Sequence, residues 1–554
     1  MMQNASQVLA GALPTGSVAS PSLLVTLQDS LKLASLPSFA AAYLDALKAP
    51  AAGEEQSWLS KPVLGSLLAV VATLLVVEQV VYRSKKAHLP GARWTIPVIG
   101  KFADSMNPRL DNYKKQWASG ALSAVSVFNI FIVIASSNEY SRKILNSPNY
   151  AEPCLVASAK PILLKENWVF LHGKVHADYR KALNVLFTKK ALSIYLPIQE
   201  RIYRKYFKAW MNDSDPKAKP YMMPMRDLNM ETSLRVFLGN YISDEGAQQI
   251  SDKYWLITLA LQLVNFPLAI PGTNVWNAIK ARKIAMKHLT AAAGASKKRM
   301  AEGGEPDCLL DAWISEMIAA RAGDGDEEKK RVLSREYSDH EIAMVVLSFL
   351  FASQDAMTSA IVYLFQLMAD HPEILAKVRE EQYRVRGGDV EGPTTLDMVD
   401  EMIYTRACIK ESLRLMPPVI MVPYLAKKAF KISEDYTAPA GTMVIPSFWN
   451  SLHDDTVYPK PDEFIPERWM PLPEGGVPLA EQSPQNYMVW GSGPHKCIGV
   501  QYASMHLAAV IGSASVLMDW KHERTTESDE AQVLCTLFPK DGLPLKFSPR
   551  AASS

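Results

Sequence analysis

Apolar residues divide this chain into unequal parts before any single side chain is considered. From Val63 to Val77 no residue carries a charge, and after Glu78 and Gln79 the apolar character resumes as far as Tyr82. Twenty helical residues at about 1.5 Å rise cover about 30 Å, the thickness of a bilayer's hydrocarbon core. Arg83, Lys85 and Lys86 follow at once, whereas Lys61 stands alone in front, so the positive-inside rule puts the rest of the chain on the cytosolic side. The pattern predicts a single transmembrane anchor over 58–82 with a lumenal extension over 1–57. A core helix or a signal peptide has a similar profile, but the long segment ahead disfavours the latter. Residues 83–100 contain Pro90, Gly91 and Pro97 and predict a stiff, proline-rich connection rather than a helix.

The remainder, 101–554, is read as one mainly α domain with minor β. Residues 120–135, GALSAVSVFNIFIVIA, have the β-branched and aromatic character of a small sheet. Beyond them helical patterns dominate. Ser338-Asp339-His340-Glu341 has the form of a capping box ahead of a long apolar run, which predicts a helix continuing to about Ala369, before His371-Pro372 interrupts it. Residues 256–275 are apolar and broken by Pro267 and Pro271, as a core helix ending in a turn would be. Residues 299–336 are polar, and their GDGDEEKKR run predicts a solvated surface loop.

Composition narrows the class. The 554 residues are 48 % hydrophobic and 21 % charged, so a sizeable core can be buried and neither disorder nor a fibrous protein is indicated. A net charge of +2 gives no global field toward nucleic acid. Five scattered cysteines, Cys154, Cys308, Cys408, Cys497 and Cys535, suggest neither a disulfide framework nor a zinc site and fit a reduced, cytosol-facing compartment. Residues 1–57 contain no Arg but several acids, against an organellar transit peptide, and Asn4-Ala5-Ser6 would accept a glycan only at a lumenal terminus.

The chemistry centres on WGSGPHKCIG, residues 490–499. Gly491, Gly493, Gly499 and Pro494 allow a tight turn around Cys497, and backbone N–H groups gathered at a sulfur favour the thiolate, the metal-binding form. Taken alone, this is equally the description of a buried free cysteine in a turn. The spacing Gly-x-Gly-x-His-x-Cys-x-Gly, however, resembles the cysteine loop of the cytochrome P450 monooxygenases, with Trp490 where Phe is usual. The resemblance covers roughly 88–548 and implies the cytochrome P450 fold, haem b held axially by Cys497, dioxygen as co-substrate, and NADPH electrons delivered by NADPH-cytochrome P450 reductase.

Other segments agree with it. In LHGKVHADYRKALNVLF, His176 and Arg180 share one helical face and can bind a haem propionate by charge-assisted hydrogen bonds. His495 is the other expected propionate partner, and Tyr424 stands where many relatives place an Arg. Glu411 and Arg414, three apart on a helix, with Arg468 downstream, match the family's buried support network. In FASQDAMTSA, Asp355 is the only acid of a long apolar helix and is expected to take part in proton delivery. Ser353 replaces the family's usual glycine and Ala356 its threonine; water held by Asp355 could stand in for the missing hydroxyl, or Thr358 and Ser359 could if the helix bends. Ala352, Ala356, Val419, Met421 and Phe538, with Pro539, are expected near substrate, and 256–275 is expected where a lipid enters from the membrane. Lys181, Lys189, Lys190 and Lys496 are read either as a solvated face or as a docking patch for an acidic reductase.

Gln-Asp-Ala in that helix, together with SVFNIFIVIASS, YSRKILNSPNY, NWVFLHGK and VPYLAKKAF, resembles the sterol C-22 desaturases. Their chemistry implies removal of two hydrogens from a sterol side chain to leave a C22–C23 double bond, in ergosterol- or phytosterol-type biosynthesis at the endoplasmic reticulum membrane. Two rivals stay open: a sterol hydroxylase or demethylase of the same fold, and a membrane-tethered haem-binding protein without turnover.

Overall fold

The computed structural model describes residues 61–550 except 102–107, 157, 262–267 and 474; the expected lumenal extension, the glycan motif and the first residues of the expected anchor lie outside the described residues. Helix α1, Lys61–Lys86, begins with Lys61 alone and gathers three basic residues in its last turn, Arg83, Lys85 and Lys86. Leu64–Lys86 is long and apolar enough to cross a membrane, with a mean hydropathy of 2.2 and only 6 % of that window buried. Two later helices, Asp339–Asp370 and Val500–Leu517, also meet the length and composition for crossing, but each is 78 % buried, so their apolar character serves the core.

The expected connection over 83–100 differs from its sequence reading. Its first four residues continue α1, and the remainder folds back onto the helix end. Gln79 donates to Thr95 O at 3.0 Å and accepts from Thr95 N at 3.1 Å, Glu78 accepts from Val98 N at 2.9 Å, and Tyr82 donates to Ala92 O at 3.0 Å. The two polar residues that interrupt the apolar run are therefore the clasp that holds the linker.

Within Glu78–Ser554, strands β1 (Leu122–Val127) and β2 (Ile130–Ala135) pair antiparallel across Phe128 and Asn129, whose φ values of 48° and 61° make the kind of turn that matches strand twist. Helix α2, Asn138–Leu145, follows, then β3, Ala151–Pro153. The helical body contains α3 (Gly173–Asn184), α4 (Lys189–Met211), α5 (Met222–Leu238), α6 (Asp244–Ala260), α7 (Asn274–Ala301), α8 (Asp339–Asp370) and α9 (Ile403–Leu415). Strands β4 (Tyr424–Ala426) and β5 (Met443–Pro446) complete a mixed sheet of order β1-β2-β5-β4-β3, in which only β2 and β5 run parallel. Helix α10, Val500–Leu517, and the hairpin β6 (Ala531–Val533) and β7 (Leu537–Pro539) close the chain's site.

Helix α8 is the central element. Ser338 caps it by accepting from Glu341 N at 3.1 Å, as its sequence predicts, but the Glu341 side chain turns instead to Tyr179 and Arg335. Twenty-two of its 32 residues are buried, among them the hydrocarbon side chains from Ile342 to Leu350 and Ile361 to Phe365, which explains why it carries so few charges.

The charge run at 323–331 is a loop only at its start; Asp326 caps a short helix, Glu327–Leu333, whose Arg331 pairs with Asp178 of α3. Repeated like charges are compatible with a helix when a neighbouring element supplies the opposite sign.

Candidate functional site

A cavity of about 530 Å³ lies between α8 and the loop that precedes α10. Cys497 borders it on one side, and Ala352, Ser353, Asp355 and Ala356 of α8 on another; Val419 and Met421 lead into β4, and Leu534–Thr536 form the tip of the β6–β7 hairpin. Its walls are mostly hydrocarbon, which suits a large apolar ligand.

Two glycines shape the cysteine loop for different reasons. Gly491 and Gly493 both have φ of +72°, a conformation side chains resist. A Cβ at Gly493 would also stand 2.4 Å from Leu145 O at the end of α2, whereas one at Gly491 would meet nothing within 4 Å. Cys497 N donates to Trp490 O at 2.8 Å, which closes the turn and leaves the sulfur facing the cavity. Burial raises the Cys497 thiol pKa, while the Gly499 backbone N–H and the positive charges of Arg180 and Lys496 lower it.

Behind the loop, Glu411 accepts from both Arg414 Nε and Nη2 at 2.9 Å, from Arg468 Nε at 2.9 Å and from Trp469 Nε1 at 2.8 Å. The expected three-residue support is thus a buried four-residue network, and Trp469, the W of FIPERW, is the member missed in the sequence. Tyr487 extends it toward the cysteine loop, packing on Trp469 with ring centroids 4.8 Å apart and donating to Lys410 O at 3.1 Å.

The propionate candidates come together. The rings of His176 and His495 stack with centroids 4.0 Å apart, and His172 approaches His495 at 6.4 Å. Burial, followed by neighbouring positive charge, lowers His176 to about 4 and His495 to about 3, so both imidazoles are neutral near pH 7. Arg180 is half-buried beside Cys497 with no acid paired to it among the described residues, and burial lowers its pKa. His172, which the sequence reading passed over, has its Nδ1 buried without a partner. An unpaired guanidinium and an orphaned imidazole nitrogen near a thiol fit a flat iron porphyrin bearing carboxylates.

The oxygen-helix expectations fare differently. Asp355 is 2 % exposed and lines the cavity, yet it is already engaged: Arg226 of α5 pairs with it, and Thr258 of α6 donates to it at 2.7 Å. Arg226 also lies 4.6 Å from the Trp255 ring centroid. Neither partner of Asp355 was legible locally, since they come from 129 and 97 residues away in the chain.

Thr358 and Ser359 are corrections. Neither lines the cavity: Thr358 Oγ1 donates to Gln354 O of α8 itself at 2.6 Å and accepts from Asn229 Nδ2 of α5 at 3.4 Å, and Ser359 Oγ donates to Leu537 O at 2.6 Å. Phe538 is a second correction. It is buried at 2 % in β7 outside the cavity lining, as is Pro539, while the hairpin tip one turn earlier provides the contact. In the basic patch, Lys181 pairs with Glu328 and Lys189 with Asp400, leaving Lys190 and Lys496 without an acid partner among the described residues.

Comparison with known proteins places these features. Residues 93–543 match the family model described as Cytochrome P450. The C-22 sterol desaturase ERG5A of Gibberella zeae is 45 % identical over 495 residues, covering 87 % of this chain and 91 % of that protein. C-22 sterol desaturase ERG5 of Saccharomyces cerevisiae is 44 % identical over 487 residues, covering 87 % and 89 %. At 42 % over 496 residues, covering 87 % and 92 %, stands the cytochrome P450 monooxygenase oblE of Emericella variicolor. Among solved structures, the retinoic acid-bound cyanobacterial CYP120A1 superposes with a TM-score of 0.70 at 21 % identity, covering 82 % of this chain and 98 % of that one, which shows the fold.

Proposed function

The chain belongs to the cytochrome P450 family and to its C-22 sterol desaturase branch, and on that premise we propose that it introduces the C22–C23 double bond into a sterol side chain. Its cofactor is haem, and its co-substrates are dioxygen and electrons passed on from NADPH by a partner protein. When bound, haem supplies an oxidant strong enough to take hydrogen from an unactivated C–H bond.

This chain's residues provide the rest. Cys497 would hold the haem iron through its sulfur, with Gly491 and Gly493 setting its loop, and Arg180, His172, His176 and His495 would hold the propionates. Glu411, Arg414, Arg468 and Trp469 hold the ground behind that loop. Ala352, Ala356, Val419, Met421 and the hairpin tip enclose the side chain in hydrocarbon, which keeps bulk water from the reacting carbons. Asp355, tied to Arg226 and Thr258, is assigned as a fixed charge that orients groups along α8.

The observation that carries this reading is one cavity bordered by both Cys497 and the alanines of α8, beside an unpaired Arg180. Incubation with NADPH, its reductase and a sterol with a saturated side chain tests it. Loss of two hydrogens is the expected outcome, whereas gain of oxygen supports hydroxylation, a reading that the similarity to a relative named only as a monooxygenase keeps in view. Substituting Cys497→Ala is expected to abolish the thiolate-type spectrum of the reduced carbonyl complex.

The finer placement follows from chain chemistry. The specific electron donor is assigned as NADPH-cytochrome P450 reductase, with Lys190 and Lys496 as the cations free to meet its acidic surface. A single pass through the endoplasmic reticulum membrane with a cytosolic catalytic domain is supported by the basic last turn of α1, and Leu268 and Ile270, both exposed ahead of α7, suit a lipid-facing entrance.

A further inference from the structure

Oxygen reduction needs protons, and the residues that usually carry them are missing or occupied here. Ala356 has no hydroxyl, Thr358 and Ser359 point away, and Asp355 is held by Arg226 and Thr258. Of the hydroxyls on the cavity wall, Ser353 and Tyr502 connect to something behind it.

That something is a polar strip inside the helical body. On α4, Tyr195, Gln199 and Tyr203 recur at four-residue intervals on one face; on α10, Tyr502 and His506 do the same. The faces meet: Tyr203 Oη and His506 Nδ1 are 3.0 Å apart, and the Tyr195 and Tyr502 ring centroids 6.2 Å. Ser233 of α5 joins the strip to α8 through Ser353, with their hydroxyls 3.2 Å apart. Gln199 and Ser233 stand beside the Tyr502 hydroxyl without completing hydrogen bonds to it.

Five polar atoms along this strip are buried and unpartnered: Tyr195 Oη, Gln199 Nε2 and Oε1, Tyr502 Oη and His506 Nε2. Leaving so many buried donors and acceptors unpaired is costly, and internal water is what commonly completes such groups. The outer end is charged. Glu200 lies near enough for its charge to be felt at Tyr203, and it accepts from Arg204, whose side chain is 27 % exposed.

We propose that Ser353, Ser233, Tyr502 and Gln199, with waters bridging them, form the proton route into the cavity in place of the acid and alcohol pair of α8. The inference rests on the oxygen-reducing chemistry proposed above. Removing two hydrogens from substrate while one dioxygen becomes two waters draws two electrons from the NADPH chain and two protons from solvent. Each hydroxyl or water on the strip gives its proton inward as it takes one from the outer side, so the residues end unchanged.

Two measurements decide it. A crystal structure of the haem-loaded protein that resolves waters should show ordered water within hydrogen-bond distance of Tyr502 Oη and Gln199; a dry strip overturns the proposal. In the reductase-coupled enzyme, Tyr502→Phe should keep the thiolate carbonyl spectrum and the sterol-induced spectral shift. It should also send several-fold more NADPH electrons to hydrogen peroxide and raise the solvent deuterium isotope effect.

Gln199→Met, outside the cavity lining, should move the same partition and serves if Tyr502→Phe loses haem. An unchanged peroxide fraction in both variants overturns the route. Wild type that oxidises NADPH without forming a dehydrosterol refutes the desaturase reading, while the waters and the peroxide partition still decide this one.

Discussion

At the scale of single residues, the site depends on side chains whose tolerance can be ranked. Gly491 and Gly493 share a φ of +72°, but only Gly493 lacks room for a Cβ. Gly491→Ala is expected to cost roughly the 1–2 kcal/mol of a left-handed residue. Gly493→Ala should cost more and release haem sooner on heating, as haem content after a thermal ramp would show. Arg226 and Asp355 form a buried pair, 3 % and 2 % exposed. Arg226→Met leaves a carboxylate buried and unpaired, with an expected loss of about 3–5 kcal/mol by denaturant unfolding. The double variant with Asp355→Leu should recover much of that loss, since removing both charges removes the desolvation burden.

Among the elements, the β6–β7 hairpin positions its tip, Leu534–Thr536, rather than its strands, against the cavity. Cys535→Trp is therefore expected to weaken sterol binding at least tenfold in a spectral titration while leaving the melting temperature within a few degrees. Phe538→Ala should do the reverse, destabilising by about 3–5 kcal/mol as a large side chain buried at 2 % is removed.

Helix α8 shows the same division between direction and contact. Its polar side chains at Thr358 and Ser359 serve packing with α5 and the hairpin, so hydroxyl-bearing residues there do not imply hydroxyls in the site.

For the molecule as a whole, the border between the two compact units, at Val77 and Glu78, lies inside α1. A chain beginning at Glu78 retains Gln79, Glu78 and Tyr82 to hold the linker, whereas one beginning at Ala87 leaves Thr95 and Val98 without those partners. The first is expected to melt several degrees above the second by differential scanning calorimetry, with both soluble at lower detergent than the full chain.

The sequence by itself determined the membrane-length helix, the hairpin at 122–135, the capped start of α8 and the cysteine loop. Each is written in residues that are neighbours in the chain, where helical or strand period, a cap, or glycines at fixed offsets act locally. It also carried Glu411, Arg414 and Arg468, because their spacing matches a known pattern. Only the tertiary structure decided which groups are spent and which are free. Arg226 and Thr258 occupy Asp355, Trp469 completes the Glu411 network, His172 and His176 each meet His495, and the tyrosines of α4 meet Tyr502 and His506 of α10. These pairings join residues dozens to hundreds of positions apart, and burial is what gives them weight: a polar atom removed from water must find its partner wherever the fold brings one.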